Sequence, residues 1–215
     1  SSASAAAPLL EARGLTREFD DGQVRALRGV DLTIKEGEFI AIVGPSGCGK
    51  STLLQLLGAL DRPTSGTLLY RRQSLPDLPN PAAYRAHEVG FIFQAFHLLP
   101  TFTAVENVQI PMFEGNRTRS QRRERAGELL KSVGLDHRLT HFPSELSGGM
   151  KQRVAIARAL VMEPKILLMG EPFGALDEQT RIILGEELLK IRDKLRQTIV
   201  FVTHNINESV QLSNR

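Results

Sequence analysis

Short apolar stretches alternate with polar residues over residues 9–32, and turn signals at Asp21-Gly22 and Arg28-Gly29 separate them. Such alternation between turns predicts an antiparallel β-sheet at the start of the chain. Later runs are instead mostly apolar, as is typical of strands that are covered on both faces. These runs are Phe39–Val43, Val89–Phe93, 165–169 and Thr198–Thr203.

Leucines at helical spacing over residues 51–57 predict a helix directly after the first of these strands. Strands separated by helices favour a mainly parallel sheet, which binds ligands at the carboxyl ends of its strands. Residues 96–150 differ from the rest, because they are rich in proline and arginine and their best element is a helix over 122–133, ended by Gly134. We interpret this stretch as a helical subdomain inserted into the α/β core.

The 215 residues are 41% hydrophobic, which suits one α/β domain over 9–215 with residues 1–8 as a tail or an expression remnant. The net charge is only +3, and both signs are interspersed, so we predict no nucleic-acid partner. The single cysteine, Cys48, excludes an intramolecular disulfide and fits a reducing compartment. No apolar run approaches the roughly 18 residues of a membrane span, so work at a membrane requires a partner.

Arginines are concentrated in the middle of the chain, at Arg117, Arg119, Arg122, Arg123 and Arg125. A solvated helix face is the favoured interpretation of this run, and contact with membrane phospholipid is the alternative.

Residues 44–51 read Gly-Pro-Ser-Gly-Cys-Gly-Lys-Ser, a complete Walker A pattern between a predicted strand and a predicted helix. Glycines let the backbone N–H groups wrap around phosphates, and the helix N-terminus adds partial positive charge. We expect Lys50 to reach the β- and γ-phosphates of ATP and Ser51 to ligate Mg²⁺. The predicted nucleotide-binding residues of this loop are Gly44, Pro45, Ser46, Gly47, Cys48, Gly49, Lys50, Ser51 and Thr52. The predicted fold is therefore α/β, a P-loop NTPase (RecA-like) core with an N-terminal antiparallel β subdomain and an inserted helical subdomain.

A second glycine motif, Leu-Ser-Gly-Gly-Met-Lys-Gln-Arg, occupies residues 146–153. Ser147 suits a helix N-cap, and Gly148 and Gly149 keep the following N–H groups open to an anion. Here the chain resembles the ATP-binding cassette family, whose signature motif is LSGGQ. The resemblance implies that this motif engages the γ-phosphate held by another subunit, either in an ATP-dependent homodimer or in a pair with a second cassette.

The resemblance covers residues 9–215 and implies roles for further positions. Phe19 lies where the family stacks an aromatic ring on adenine, although a core role is the alternative. Gln94 resembles the glutamine that senses Mg²⁺ and the γ-phosphate, and Glu171 the general base that polarises the attacking water. Residues 174–177 resemble the D-loop of the dimer interface, and His204 the switch histidine on the γ-phosphate. Glu171, His204, Gln94 and Lys50 are thus the predicted catalytic residues, and Ser51 and Gln94 the predicted metal ligands.

The chain departs from the family pattern at Gly170, where an aspartate normally supports the Mg²⁺ shell. Three interpretations stay open: an altered sequence, a natural substitution with Mg²⁺ held by Ser51, Gln94 and phosphate, or a cassette that binds ATP but hydrolyses it poorly. We expect retained ATP binding with weakened Mg²⁺ dependence or slowed turnover. The chain also ends only eleven residues after His204, which we interpret as a truncated C-terminus.

The apolar loop from Phe96 to Pro100 is a predicted docking site for transmembrane permease subunits. Residues 39–111 look like lipoprotein-release and macrolide-export ATPases, whereas 143–181 look like nitrate, sulfonate or taurine importers. The resemblance therefore implies a cytoplasmic ATPase, peripheral on the inner face of the cell membrane, that powers transport. Soluble cassette proteins of ribosomes or DNA usually carry two cassettes or a coiled coil, which this chain lacks. A regulatory cassette with impaired hydrolysis is the other alternative.

Overall fold

The computed structural model describes residues 7–195, 197–205 and 208–210, so residues 1–6 of the predicted tail and residues 211–215 lie outside it. In chain order its elements are β1 (Leu10–Phe19), β2 (Val24–Ile34), β3 (Phe39–Val43), α1 (Lys50–Leu57), β4 (Ser65–Tyr70), β5 (Gln73–Ser74), α2 (Pro81–His87), β6 (Val89–Phe93), α3 (Ala104–Gln109), α4 (Arg119–Ser132), α5 (Gly148–Leu160), β7 (Ile166–Gly170), α6 (Glu178–Leu195) and β8 (Thr198–Thr203). Short 3₁₀ turns cover Asp20–Gly22, Ile110–Met112, Asp136–Arg138 and Pro143–Glu145.

The four mostly apolar runs form a parallel sheet in the order β3-β8-β7-β6. Alternate residues of each strand face opposite sides, so Ile199 and Phe201 pack against the helices of 104–160, whereas Val200 and Val202 pack against α1 and the first sheet. Every residue of β8 is buried. Cover on both faces explains why these strands consist mostly of apolar residues.

The N-terminal sheet is antiparallel as predicted and has the order β2-β1-β4-β5. Its turn at Asp21-Gly22 is present, but the predicted turn at Arg28-Gly29 is wrong, because both residues lie inside β2. Pairing skips from Val30 to Arg28, which leaves Gly29 as a bulge with φ +85°. A glycine inside a strand pattern can mark a bulge and not a turn. The predicted fold class is confirmed.

Helices α3, α4 and α5 fill the connection between β6 and β7, where the helical stretch was predicted. The helix expected over 122–133 begins earlier, at Arg119, because Thr118 and Gln121 form a capping box in front of it. In the arginine run, Arg125 pairs with Glu163 at 2.7 Å. No helix within the described residues has the length and apolar character needed to cross a membrane. The limits of a helical subdomain stay a prediction.

Candidate active site

The glycine-rich loop lies between β3 and α1, as expected, and its shape depends on glycine at two positions. Gly47 and Gly49 have φ values of +80° and +96°, which other residues rarely adopt. A Cβ atom on Gly49 would lie 2.2 Å from the backbone oxygen of Ala26, which belongs to β2. The first sheet therefore supports the loop from below and leaves no room for a side chain at the start of α1.

Lys50 is buried, with 7% of its surface exposed, at the first position of α1. Its ammonium group donates hydrogen bonds to the backbone oxygens of Gly44, at 2.7 Å, and Pro45, at 2.8 Å. The lysine thus crosses the loop and holds its curvature. Ser51 follows on the exposed side of the helix start.

Register brings the other predicted site residues to the same edge of the parallel sheet. Phe93 pairs with Gly170, and Gly170 pairs with Val202, so these strands end side by side. Gln94 and Glu171 directly follow the first two of these residues, and His204 comes two residues after the third. Because the carboxyl ends of parallel strands meet at one edge, side chains far apart in sequence come together there.

Two contacts connect these side chains. His204 Nδ1 lies 3.2 Å from Glu171 Oε2, within hydrogen-bond distance. The Gln94 amide packs against the chain after Glu171, since a Cβ on Gly174 would lie 3.0 Å from Gln94 Nε2. The arrangement offers a carboxylate, an imidazole and an amide beside a phosphate-type loop. Their catalytic roles stay predictions.

Glu171 has a left-handed backbone, with φ +49°. This conformation costs a residue with a side chain about 1–2 kcal/mol. Two hydrogen bonds hold it: the Glu171 N–H donates to Val202 O at 2.8 Å, and the Gly174 N–H donates to Glu171 O at 3.0 Å. Strain of this kind concentrates at functional sites, which is consistent with a catalytic carboxylate here.

Gly170 lies at the end of β7 with a backbone that does not require glycine. A Cβ added there would lie 3.3 Å from Leu54 Cδ1 and 3.7 Å from Phe93 Cδ1. The first distance needs a few tenths of an ångström of movement by a flexible leucine, and the second is an ordinary contact. Nothing in the packing explains the glycine.

The predicted second motif begins α5 as expected. Ser147 is the N-cap, and its hydroxyl accepts a hydrogen bond from the Met150 N–H at 3.3 Å. Glycines follow where α5 approaches the next segment, since a Cβ on Gly149 would lie 2.6 Å from Thr180 Cγ2. One on Gly148 would lie 3.5 Å from Leu176 Cδ2. This motif therefore packs against residues 174–180 of its own chain.

Phe19 ends β1 and is half-buried. The Arg17 guanidinium lies over its ring, 4.4 Å from the centroid. Arg17 also donates a hydrogen bond to Asp61 at 2.8 Å, so this cation is fixed on one face of the ring. Only the opposite face is left to stack on adenine, and that role stays a prediction.

Two polar residues that the sequence did not single out, the half-buried Arg158 and the buried Asn107, support the loop from Phe96 to Pro100. Arg158 of α5 donates to the backbone oxygens of Phe96, at 2.8 Å, and of His97, and burial lowers the pKa of this guanidinium. Asn107 of α3 accepts a hydrogen bond from the Leu99 N–H at 2.8 Å and donates back to the Leu99 oxygen at 3.1 Å. The only sequence signal for either residue is a polar side chain within an apolar helix face.

Comparison with known proteins agrees with this geometry. The family described as ABC transporter matches residues 27–174. The chain is similar to the lipoprotein-releasing system ATP-binding protein LolD of Geobacter metallireducens, at 51% identity over 92% of this chain and 89% of that protein. It is also similar to the macrolide export ATP-binding/permease protein MacB of Hyphomonas neptunium, at 47% identity over 92% of this chain and 31% of that protein.

One solved structure with the same fold is a dimeric post-hydrolysis state of the ATP-binding cassette MJ0796, bound to ADP and Pi. It is 40% identical with a TM-score of 0.85, and the alignment covers 94% of this chain and 90% of that one. These relatives bear out the export-type resemblance of the N-terminal part, whereas the importer-type resemblance of residues 143–181 stays a prediction.

Proposed function

This chain belongs to the ATP-binding cassette family of ATPases, and we propose that it is a transport subunit: two cassettes close around ATP and drive permease subunits in a membrane. The observation that carries the proposal is the meeting of the phosphate loop, Gln94, Glu171 and His204 at one edge of the parallel sheet. A site with only the loop would bind nucleotide, whereas a carboxylate beside an imidazole also supports hydrolysis.

Each of these groups has a chemical task in that reaction. The loop N–H groups and Lys50 bind the phosphates and neutralise the charge that develops on them. Glu171 orients a water molecule and accepts its proton, and His204 holds the carboxylate in place through the 3.2 Å contact. The strained backbone of Glu171 fixes the direction from which its side chain enters the site.

Ser51 and Gln94 fit Mg²⁺ by their chemistry, since hydroxyl and amide oxygens are hard ligands. Mg²⁺ usually keeps several waters and takes only one or two protein ligands beside substrate phosphates. In such a site the ion stabilises charge on the transferred phosphoryl group. Ser51 is exposed at the start of α1, and Gln94 is exposed directly after β6, so both side chains are accessible to a bound nucleotide.

Dimerisation is proposed because the nearest neighbours of the glycines in the second motif are, among the described residues, side chains outside the phosphate loop of the same chain. Ser147 begins an α-helix whose first N–H groups suit an anion, and its glycines contact Leu176 and Thr180 instead. A second copy is then required to bring this helix start to the phosphates. The dimeric cassettes among the solved relatives support that arrangement.

The permease is proposed to contact the loop from Phe96 to Pro100, on the cytoplasmic, inner face of the cell membrane. Leu99 exposes 44% of its surface in this loop, although Arg158 and Asn107 fix its backbone from inside. An apolar side chain on a rigid support is typical of a binding surface. The names of the relatives, which include a release-system ATPase and a fused ATPase and permease, support a membrane partner.

Gly170 favours a second candidate, a cassette that closes on ATP as a switch and hydrolyses it slowly. The position lacks the carboxylate that would help to hold the cation, although the packing leaves space for one. Both candidates predict ATP-dependent dimerisation, and they differ in turnover.

The test uses Glu171→Gln to block hydrolysis and Lys50→Ala to weaken phosphate binding. Light scattering on the purified chain should show a dimer for Glu171→Gln in ATP and a monomer for Lys50→Ala under the same conditions. Steady-state phosphate release by the unmodified chain then separates a transport motor from a slow switch. A Glu171→Gln protein that stays monomeric in saturating ATP would contradict the proposal.

Permease contact is tested with a photo-crosslinking amino acid at Leu99 in cells, and the matched control carries it at Leu60, which exposes 49% of its surface elsewhere on the chain. The expected crosslink joins position 99, but not position 60, to an integral membrane permease identified by its peptides. Equal labelling at both positions would argue against a specific docking loop.

A further inference from the structure

A series of polar contacts connects the turn that carries His204 to the start of α6. At the His204 end lies Thr203, the last residue of β8, of which only 2% is exposed. The Thr203 hydroxyl donates its single hydrogen to Glu208 Oε2, at 2.6 Å, and accepts a hydrogen bond from the Asn205 N–H at 3.0 Å. Because Glu208 fixes the direction of the Thr203 O–H, it also fixes the hydroxyl lone pair that accepts the hydrogen bond from the Asn205 N–H. That second hydrogen bond closes the turn around His204.

Glu208 is itself held by a cation from another element. Its side chain is only 11% exposed, and its Oε1 lies 3.3 Å from Arg181 Nε, an ion pair that lacks hydrogen-bond alignment. Arg181 also donates to the Leu176 backbone oxygen at 3.1 Å. A carboxylate buried to this degree is stable only when paired, so Glu208 links β8 to α6.

The far end of this series is the predicted D-loop, residues 174–177. Asp177 caps α6, since its carboxylate accepts a hydrogen bond from the Thr180 N–H at 2.9 Å. Leu176 and Thr180 are also the residues that approach the glycines of the second motif. The segment that would face a second cassette is therefore connected to the His204 turn through Arg181 and Glu208.

His204 needs support of this kind, because packing does not hold its ring. Its side chain is 58% exposed, and its ring approaches the Glu171 carboxylate at 3.2 Å. The position of the imidazole thus depends on the backbone turn 203–205. The Thr203 hydroxyl closes this backbone turn by accepting the hydrogen bond from the Asn205 N–H.

We propose that Arg181, Glu208 and Thr203 are positioning residues, which hold His204 against Glu171 and transmit the placement of residues 174–177 to it. None of the three touches nucleotide in this proposal, and each acts through the next. The inference rests on the proposed function for its catalytic consequence, but not for the placement of the His204 ring.

Thr203→Val gives the sharpest test, because it removes the hydroxyl and keeps the shape, whereas Thr203→Ser keeps the hydroxyl. We expect kcat for ATP to fall about tenfold in Thr203→Val and in Glu208→Gln, since small misplacements of a catalytic group cost that much or more. KM should change by less than about twofold, because the phosphate loop is untouched. Thr203→Ser should retain most of the parent rate. The matched control is Glu163→Gln, which breaks the Arg125–Glu163 pair far from the site.

A second readout needs no turnover. In protein with ¹³C-labelled histidine rings, the His204 resonance is assigned by its loss in His204→Gln. It should move in Thr203→Val and Glu208→Gln and keep the parent position in Thr203→Ser and Glu163→Gln. Melting temperatures identify variants that fail to fold, and Arg181→Lys, which keeps the charge, then replaces Glu208→Gln in the comparison.

An unmoved His204 resonance in both Thr203→Val and Glu208→Gln overturns the inference, as does a rise in KM at constant kcat. If the parent chain releases no phosphate, the proposed function fails, and the resonance alone still decides whether these residues position His204.

Discussion

The substitution Gly170→Asp tests the least expected residue of the site. The strand backbone at this position accepts any side chain, and the closest neighbour of an added Cβ is Leu54 Cδ1, at 3.3 Å. A leucine methyl group can move by a few tenths of an ångström, so we expect the cost in the free energy of unfolding to stay below about 1 kcal/mol. The variant should therefore fold normally.

The gain should appear in the affinity for Mg²⁺. A carboxylate separated from the cation by one water layer gains several kcal/mol of attraction at an effective dielectric constant of about 20. Water and neighbouring groups offset most of this, and a net gain of about 1.5 kcal/mol corresponds to about tenfold tighter binding. Repulsion from the adjacent Glu171 carboxylate works against the gain, which makes tenfold the better expectation than a hundredfold.

Phosphate release measured over a Mg²⁺ titration, at saturating ATP, reports this affinity directly. Gly170→Ala adds the Cβ without the charge, and Gly170→Asn adds the shape and an oxygen without the charge. A fluorescent ATP analogue, titrated without Mg²⁺, separates nucleotide binding from cation binding. Only Gly170→Asp should shift the midpoint of the Mg²⁺ curve by about tenfold.

A common midpoint for the aspartate and alanine variants would refute this reasoning, because the charge would then have no access to the cation. A shift shared by the asparagine variant would mean that an oxygen ligand, and not a charge, is what the position lacks.

Three further changes probe the fold around the site. Gly49→Ala forces a Cβ to 2.2 Å from a backbone oxygen and should weaken ATP binding by at least about 100-fold in a fluorescence titration. Its control is Gly127→Ala in α4, where a Cβ would meet open space, and this change should raise the free energy of unfolding by about 0.5–1 kcal/mol. Asn107→Ala should lower the free energy of unfolding in urea by about 2–4 kcal/mol, because it removes a fully buried side chain and the hydrogen bonds that it makes to the part-buried backbone of the 99–103 loop. The exposed cap change Asn80→Ala should cost about 1 kcal/mol. The hydrogen bond from the Thr180 backbone lowers the pKa of Asp177, so this carboxylate stabilises the folded chain above the ordinary aspartate pKa and loses that effect as the pH falls. The difference in melting temperature between the parent and Asp177→Ala should accordingly shrink from about pH 5 to about pH 2, and a constant difference would contradict it.

Local motifs made the phosphate loop predictable from sequence. A glycine-rich stretch between a buried strand and a helix has few possible shapes, and the structure shows the expected one with Lys50 across it. The helix start at Ser147 was predictable for the same reason, since an N-cap and its glycines are adjacent in the chain. In both cases the residues that form the structure are neighbours in sequence.

Contacts between distant segments were not predictable in this way. Gly29 forms a bulge instead of a turn, because the partner strand β1 continues past it, and no residue near Gly29 signals this. The supports of the Phe96–Pro100 loop come from Arg158 and Asn107, which lie on two different helices. The hydrogen bonds of these two side chains could not be predicted, because their carbonyl partners come close only in the folded chain.

Gly170 was recognisable from the sequence as a departure from the family pattern, whereas the way its neighbours are held follows only from the fold. The neighbouring Glu171 is held in its left-handed conformation by the backbone of Val202 and Gly174. Neither hydrogen bond involves a side chain at position 170, so a glycine there does not change how the Glu171 backbone is held. We therefore expect the effect of Gly170 to be confined to the affinity for the cation, which the substrate phosphates would also bind. On this reasoning Gly170 should weaken the use of Mg²⁺ and leave the backbone geometry of Glu171 intact.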